Sequence, residues 1–149
     1  MEIYNTSFEV GIRCMVILEK MSPRKLSVDQ LSMLDYLLTN DALTDNTQLH
    51  PIKPNSQNEL IIRRAIIVES INLLINKSLI DINYTENGIL YSANSFTVIF
   101  LNLLETTYTL KIKTAGDLLS SKFGDFTEDS LKNYIYKMPK MEMLRGRIY

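Results

Sequence analysis

His50 and Cys14 are the only histidine and the only cysteine of this 149-residue chain. They are the side chains best suited to act as base and nucleophile near neutral pH, so any covalent chemistry must begin with them. Cys14 lies in an apolar helical pattern and reads as a small buried hydrophobe. His50 lies in a polar stretch just before Pro51 and reads as a structural or solvent-exposed ring. A metal centre needs several ligands, and one histidine with one cysteine does not supply them. Asp125, Glu128 and Asp129 cluster where a helix begins, and its positive end is reason enough for acids there. The five glycines are scattered singly, so no phosphate-cradling loop is present. These residues predict neither an enzyme nor a bound cofactor or metal.

What remains is phosphate contact by cations. Arg63 and Lys77 form a thin basic strip on one helix, and Arg145 and Arg147 lie in the C-terminal tail. These four are the candidate nucleic-acid contacts. The segment from Ser78 to Leu110 weakens that reading, because it holds no lysine or arginine and carries Asp81 and Glu86 instead. Phosphate contacts supply most nonspecific affinity for DNA, and they require cations.

That acidic segment contains the clearest structural signal. Asn87-Gly88 is a two-residue turn signature between residues 79–84 and 89–93. Closure there predicts Tyr84 opposite Tyr91 and Ile82 opposite Ala93. Ile80, Ile82, Tyr84, Ile89, Tyr91 and Ala93 would then share one apolar face. The helical pattern over about 57–77 runs directly into this hairpin, opened by a Ser56/Glu59 capping box. Its apolar residues occupy two nearly opposite stripes: Leu60, Ile61, Ile67, Val68, Ile71, Leu74 and Ile75 on one, Ile62, Ile66 and Leu73 on the other. Apolar residues on both sides predict a central, buried helix. Arg64 falls inside the broad stripe, either as an ion pair at the core's edge or as a contact to a partner.

Two helices precede it. Residues 7–20 are apolar on most sides, with Glu9, Arg13 and Lys20 on the remaining strip, so this helix must be buried in the core or against a partner. Residues 27–39 start with a Ser27/Gln30 capping box and with Leu26 and Leu31 at staple positions. Residues 40–55 predict a loop far longer than the three or four residues of a DNA-reading helix-turn-helix. Three further helices follow: about 95–105, with Phe96, Ile99, Phe100, Leu103 and Leu104 on its apolar side; about 108–122, with Leu110, Leu118, Leu119 and Phe123 marking its buried side and Gly124 as its stop; and about 127–138. The tail 139–149 holds Met141, Met143, Leu144 and Ile148, an apolar set able to dock on a partner.

The expected fold is therefore mainly α with a small β-hairpin. Its core is a diverged winged helix made of helices at about 7–20, 27–39 and 57–77 with the hairpin 79–84/89–93. The chain is expected to form one domain, with a helical extension over about 95–138 and the tail 139–149. A hydrophobic fraction of 46% supports a real core, and a formal net charge of −1 gives no pull toward nucleic acid or anionic membrane. The lone cysteine fits a reducing compartment. The longest apolar run, Cys14–Leu18, is far too short to cross a bilayer. A cytoplasmic protein with no membrane contact is expected.

Several segments, taken in order, resemble a bacterial family. They are residues 5–13 ending in Arg13, 34–38 around Asp35, Leu49-His50-Pro51, Glu59 through Arg63 and Arg64 to Asp81, 88–91 at the hairpin, and Phe123-Gly124-Asp125. In order and spacing they resemble the "middle component 2" proteins of bacterial ABC three-component systems, over roughly residues 5–136. This chain departs in its C-terminal part, where family members often carry tryptophan and it has none. The resemblance implies a small winged-helix-like subunit without catalytic residues. It would be encoded beside an ABC ATPase of the SMC (structural maintenance of chromosomes) type and a nuclease-like effector, in a Lamassu-like anti-phage defence system. It implies protein docking, with DNA reached only indirectly through the complex. Phe8, Arg13, Arg64, His50, Met141 and Leu144 are the candidate partner contacts. A DNA-binding transcriptional regulator is the alternative.

Overall fold

The computed structural model describes residues 6–42 and 56–137. His50, Met141, Leu144, Arg145 and Arg147 lie outside them. In order the elements are α1 (Ser7–Met21), α2 (Val28–Leu37), a π-helical turn (Leu38–Ala42), α3 (Ser56–Asn76), β1 (Ile80–Thr85), β2 (Gly88–Ala93), α4 (Ser95–Leu103) and α5 (Thr107–Phe123). A last helix, α6, covers 128–137. The expected class, mainly α with one small hairpin, is the class observed.

The middle of the fold is α1. Thr6 caps it, accepting from the Glu9 amide at 3.2 Å. Pro23 forces Ser22 into an extended conformation (ψ 141°), which ends the helix at Met21. Every residue from Val10 to Leu18 is buried, so neighbours are needed all round. The helices α2, α3, α4 and α5, together with β2, provide them. Two open choices close here: α1 is buried in this chain's own core, and it is the central helix.

That place had been expected for α3. Ile67, Ile71 and Leu74 of α3 do face the core, but Ile61 and Ile62 are 68% and 61% exposed. Position along the helix cannot decide between two apolar stripes; only one of them meets α1 and α2. Ile62 and Leu73 of the second stripe face out, with Ile61 from the edge of the first, while Ile66 packs partly against the core.

The α2 N-terminus carries the predicted capping box. Ser27 Oγ accepts from the Gln30 amide at 3.1 Å, and the Ser27 amide donates to Gln30 Oε1 at 2.9 Å. Leu26 and Leu31, the staple pair, are both fully buried. Beyond α2 the chain stays helical to Ala42, so the first three residues of the predicted loop belong to a helical turn.

The hairpin forms with a corrected register. Ile82 faces Tyr91 and Tyr84 faces Ile89, with Thr85 opposite Gly88. The expected pairs are off by two residues. A two-residue slip preserves the faces, because side chains alternate with period two, so the predicted apolar face survives. The cause lies in the turn: Gly88 takes φ +103°, whereas Asn87 does not enter the left-handed region. The loop is therefore Glu86-Asn87, closed by Thr85, whose hydroxyl donates to the Gly88 carbonyl at 2.7 Å. Only the base of the apolar face is covered. Ile80 and Tyr91 are buried, while Tyr84 and Ile89 near the tip are exposed. Between α1 and α2, Leu26 pairs with Tyr91 through two backbone hydrogen bonds of 2.9 and 2.7 Å, adding a one-residue third strand to the sheet.

At the C-terminal end α5 crosses α1 closely. A Cβ on Gly116 would stand 2.6 Å from Val16 Cγ1, so the absence of a side chain there permits the approach. Thr127 opens α6, accepting from the Ser130 amide at 3.1 Å. Leu131 and Ile135 of α6 are buried in the core. Around them Phe123 meets Phe126 and Tyr134 edge-on, with centroids 5.0 Å apart in both pairs.

Candidate functional site

Two of the arginines that the sequence singled out, Arg13 and Arg63, meet inside the protein. Arg13 of α1 is 1% exposed. Its Nε donates to Asp35 Oδ1 at 2.6 Å and its Nη2 to Asp35 Oδ2 at 3.2 Å, a two-pronged grip on a carboxylate from α2. Arg63 of α3 approaches the same carboxylate, with Nη1 2.6 Å from Oδ2, and binds Glu59 Oε1 one turn back through Nη2 at 2.8 Å. Arg13 Nη1 also donates to the Tyr108 hydroxyl of α5 at 3.0 Å. Four helices thus converge on one buried carboxylate. Among the described residues the two arginines face two carboxylates, Asp35 and Glu59.

Burial alone would raise the Asp35 carboxyl. The opposing charges and hydrogen bonds of Arg13 and Arg63 outweigh it and hold the group below its ordinary range. For Arg13 burial works against the charge, and Asp35 and Tyr108 more than restore it. Cys14 is fully buried beside this cluster; burial, and after it the Asp35 charge, push its thiol far above the ordinary range. A thiol so placed stays protonated and is a poor nucleophile, in keeping with the hydrophobe read from its surroundings.

This geometry places Arg13 and Arg63 inside, where neither faces a solvent-borne ligand. The Arg63 guanidinium lies over the Tyr36 ring at 5.7 Å. Among the described residues its Nε and the Tyr36 hydroxyl are buried without hydrogen-bond partners. Of the polar strip Glu9, Arg13 and Lys20, only Arg13 faces Asp35 of α2; Lys20 pairs with Asp117 of α5 at 2.9 Å. Arg64 points the other way. It forms an ion pair with Asp29 at 2.8 Å, with both side chains about half exposed (51% and 52%), so the unnamed carboxylate of the sequence reading is Asp29. Lys77 is exposed at the end of α3, and Phe8 is exposed on α1.

The apolar side expected of α4 largely faces out, as do Leu110 and Leu118 from the side of α5 expected to be buried. Phe96, Ile99 and Leu103 are 58%, 56% and 75% exposed. Their spacing puts them on one stripe, with Thr97 and Leu101 buried on the opposite side. An apolar side reads in sequence as a buried one, whether or not a neighbour covers it. Both ends of α4 are fixed. Asn94 accepts from the Phe96 amide at 2.8 Å, and Thr97 donates its hydroxyl to the Leu79 carbonyl. Lys113 Nζ donates to the carbonyls of Leu101 (2.6 Å) and Leu104 (3.1 Å), where a cation suits the helix terminus.

Among the described residues no group of three or more His, Cys, Asp or Glu side chains could hold a metal ion. No described helix is long and apolar enough to cross a membrane.

A buried arginine–carboxylate cluster, a hairpin on a helical core and an outward apolar stripe define a mainly helical protein with one small hairpin. The family model for the ABC-three component (ABC-3C) system Middle Component 2 matches residues 3–143, and the chain belongs to that family. No curated protein and no solved structure matches the chain. It is thus a component of a multi-component ABC system, a setting that implies partner proteins.

Proposed function

We propose that this chain is a non-catalytic accessory subunit of a bacterial SMC-like ABC ATPase defence complex of Lamassu-like type. It bridges the ATPase to a nuclease-like effector by docking to both, in the cytoplasm, and reaches DNA only through the assembled complex. The observation that carries this is where the α3–hairpin unit directs its charge. Arg63, half of the only basic strip on α3, is turned inward onto Asp35 and Glu59, and the hairpin presents exposed Asp81 and Glu86. At the hairpin a duplex would meet these acids and no cation. Such a unit is suited to protein contact.

The same unit supports reading the chain as a diverged winged helix in one domain, with residues beyond about 95 as its extension. The Leu26–Tyr91 pairing adds a β element between the first two helices, beside the hairpin. The second reading, a DNA-binding regulator, draws on exposed Lys77 at the end of α3, with Arg145 and Arg147 as further contacts. Titration of duplex DNA at low and moderate salt tests it. The docking reading predicts no nanomolar binding by the isolated chain, and tight binding that falls steeply with salt would favour the regulator.

A further inference from the structure

We infer that the outer stripe of α4, Phe96, Ile99 and Leu103, docks an amphipathic helix of the ATPase partner whose apolar side is flanked by lysine and arginine; this rests on the docking function proposed above. Three large apolar side chains more than half exposed on one short helix form a surface patch rather than scattered residues. The helix that carries them is held at both ends by Asn94 and by Lys113, so the stripe is a pre-organised ridge and little ordering opposes binding. Its spacing matches recognition of an apolar groove or helix face.

Charge selects the partner. From Ser78 to Leu110 the only charged residues are Asp81, Glu86 and Glu105, all acidic, and all three are exposed. Glu105 lies two residues past Leu103, at the end of the ridge. Lys113, the near cation, is engaged with the α4 carbonyls. A second copy docking by a two-fold axis would bring these exposed acids against themselves, and a nucleic acid lying along the ridge would meet Asp81 beside Asn94 and Glu105 at the far end. A partner with an apolar stripe and a basic border answers both features.

The test uses the full chain co-expressed with the ABC ATPase and the effector encoded beside it. Leu103→Asp should lower ATPase retention about tenfold or more and leave the melting temperature of the isolated chain unchanged. Glu105→Lys should weaken retention severalfold and remove much of its salt dependence, while Leu103→Met should retain the partner. Equal retention by Leu103→Asp and the unsubstituted chain overturns the inference. So does a fall of several degrees in the melting temperature with Leu103→Asp, which would show that the chain covers this ridge itself. A homodimer of the unsubstituted chain that Leu103→Asp converts to monomer overturns it in favour of a second copy. An unsubstituted chain that retains no ATPase removes the docking function and this inference together, which separates that failure from the loss of the ridge alone.

Discussion

The Arg13 guanidinium and the Asp35 carboxylate, 22 residues apart in sequence, meet through two hydrogen bonds of 2.6 and 3.2 Å in the interior. Arg63 closes the group from a third helix at 2.6 Å. Segments around Arg13, Asp35 and Glu59–Arg63 carry the family resemblance, and the fold brings them to one point. What looks in sequence like charge available to partners is the polar tie that sets α1, α2 and α3 against one another.

Removing the shared carboxylate leaves two guanidinium groups without their central acceptor. Asp35→Asn should therefore destabilise the fold by about 3–5 kcal/mol, the cost of breaking a buried pair from one side. Chemical denaturation of the two proteins at neutral pH measures it, and a difference below about 1 kcal/mol would show that the cluster is not what holds these helices.

The same carboxylate sets an acid limit. In the folded chain, against the effect of burial, Arg13 and Arg63 hold its pKa below the ordinary aspartate range. Its contribution is complete above the unfolded value and is lost as pH falls through the folded one. Stability should therefore hold across the neutral range and fall below about pH 4. Asp35→Asn should flatten part of that acid limb when melting is followed against pH.

Adjacent arginines on α3 should behave differently. Arg63 is buried against Asp35 and Glu59, whereas Arg64 pairs with Asp29 at the surface. Arg64→Ala should cost at most about 1 kcal/mol, since exposed pairs contribute little. Arg63→Ala should cost several times as much, and equal losses would contradict the inward placement of Arg63.

The crossing of α1 and α5 makes a further prediction. Alanine normally favours a helix over glycine by about 1 kcal/mol. At Gly116 the added methyl would stand 2.6 Å from a branched methyl of fully buried Val16, which has no free end to move. Gly116→Ala should be net destabilising, by about 1–3 kcal/mol of overpacking less that propensity gain. A raised melting temperature would show that the two helices can separate slightly.

Local signals were the legible ones. The Ser27/Gln30 box, the Leu26–Leu31 staple and the turn at Asn87-Gly88 each act within a few residues, and each marked its element. The hairpin register slipped because the dipeptide suggests two left-handed residues and the chain uses only Gly88. Which face of α3 turns inward was not legible, since Ile62 and Ile67 are equally apolar and only packing against α1 distinguishes them. The Asp35 cluster was not legible either: its partners lie 22 and 28 residues away, and periodicity carries no information on which charges meet. The exposure of the α4 ridge was hidden for the opposite reason, because its composition resembles that of a core helix.

Affinity recovery of the tagged chain from its native host, with and without nuclease and with mass-spectrometric identification, tests the proposed role most directly. Recovery of an ABC ATPase and an effector subunit that persists after nuclease treatment is the predicted result. Recovery only while DNA is intact, or none of an ATPase, would contradict the docking role and turn attention to Lys77 and the tail arginines as phosphate contacts.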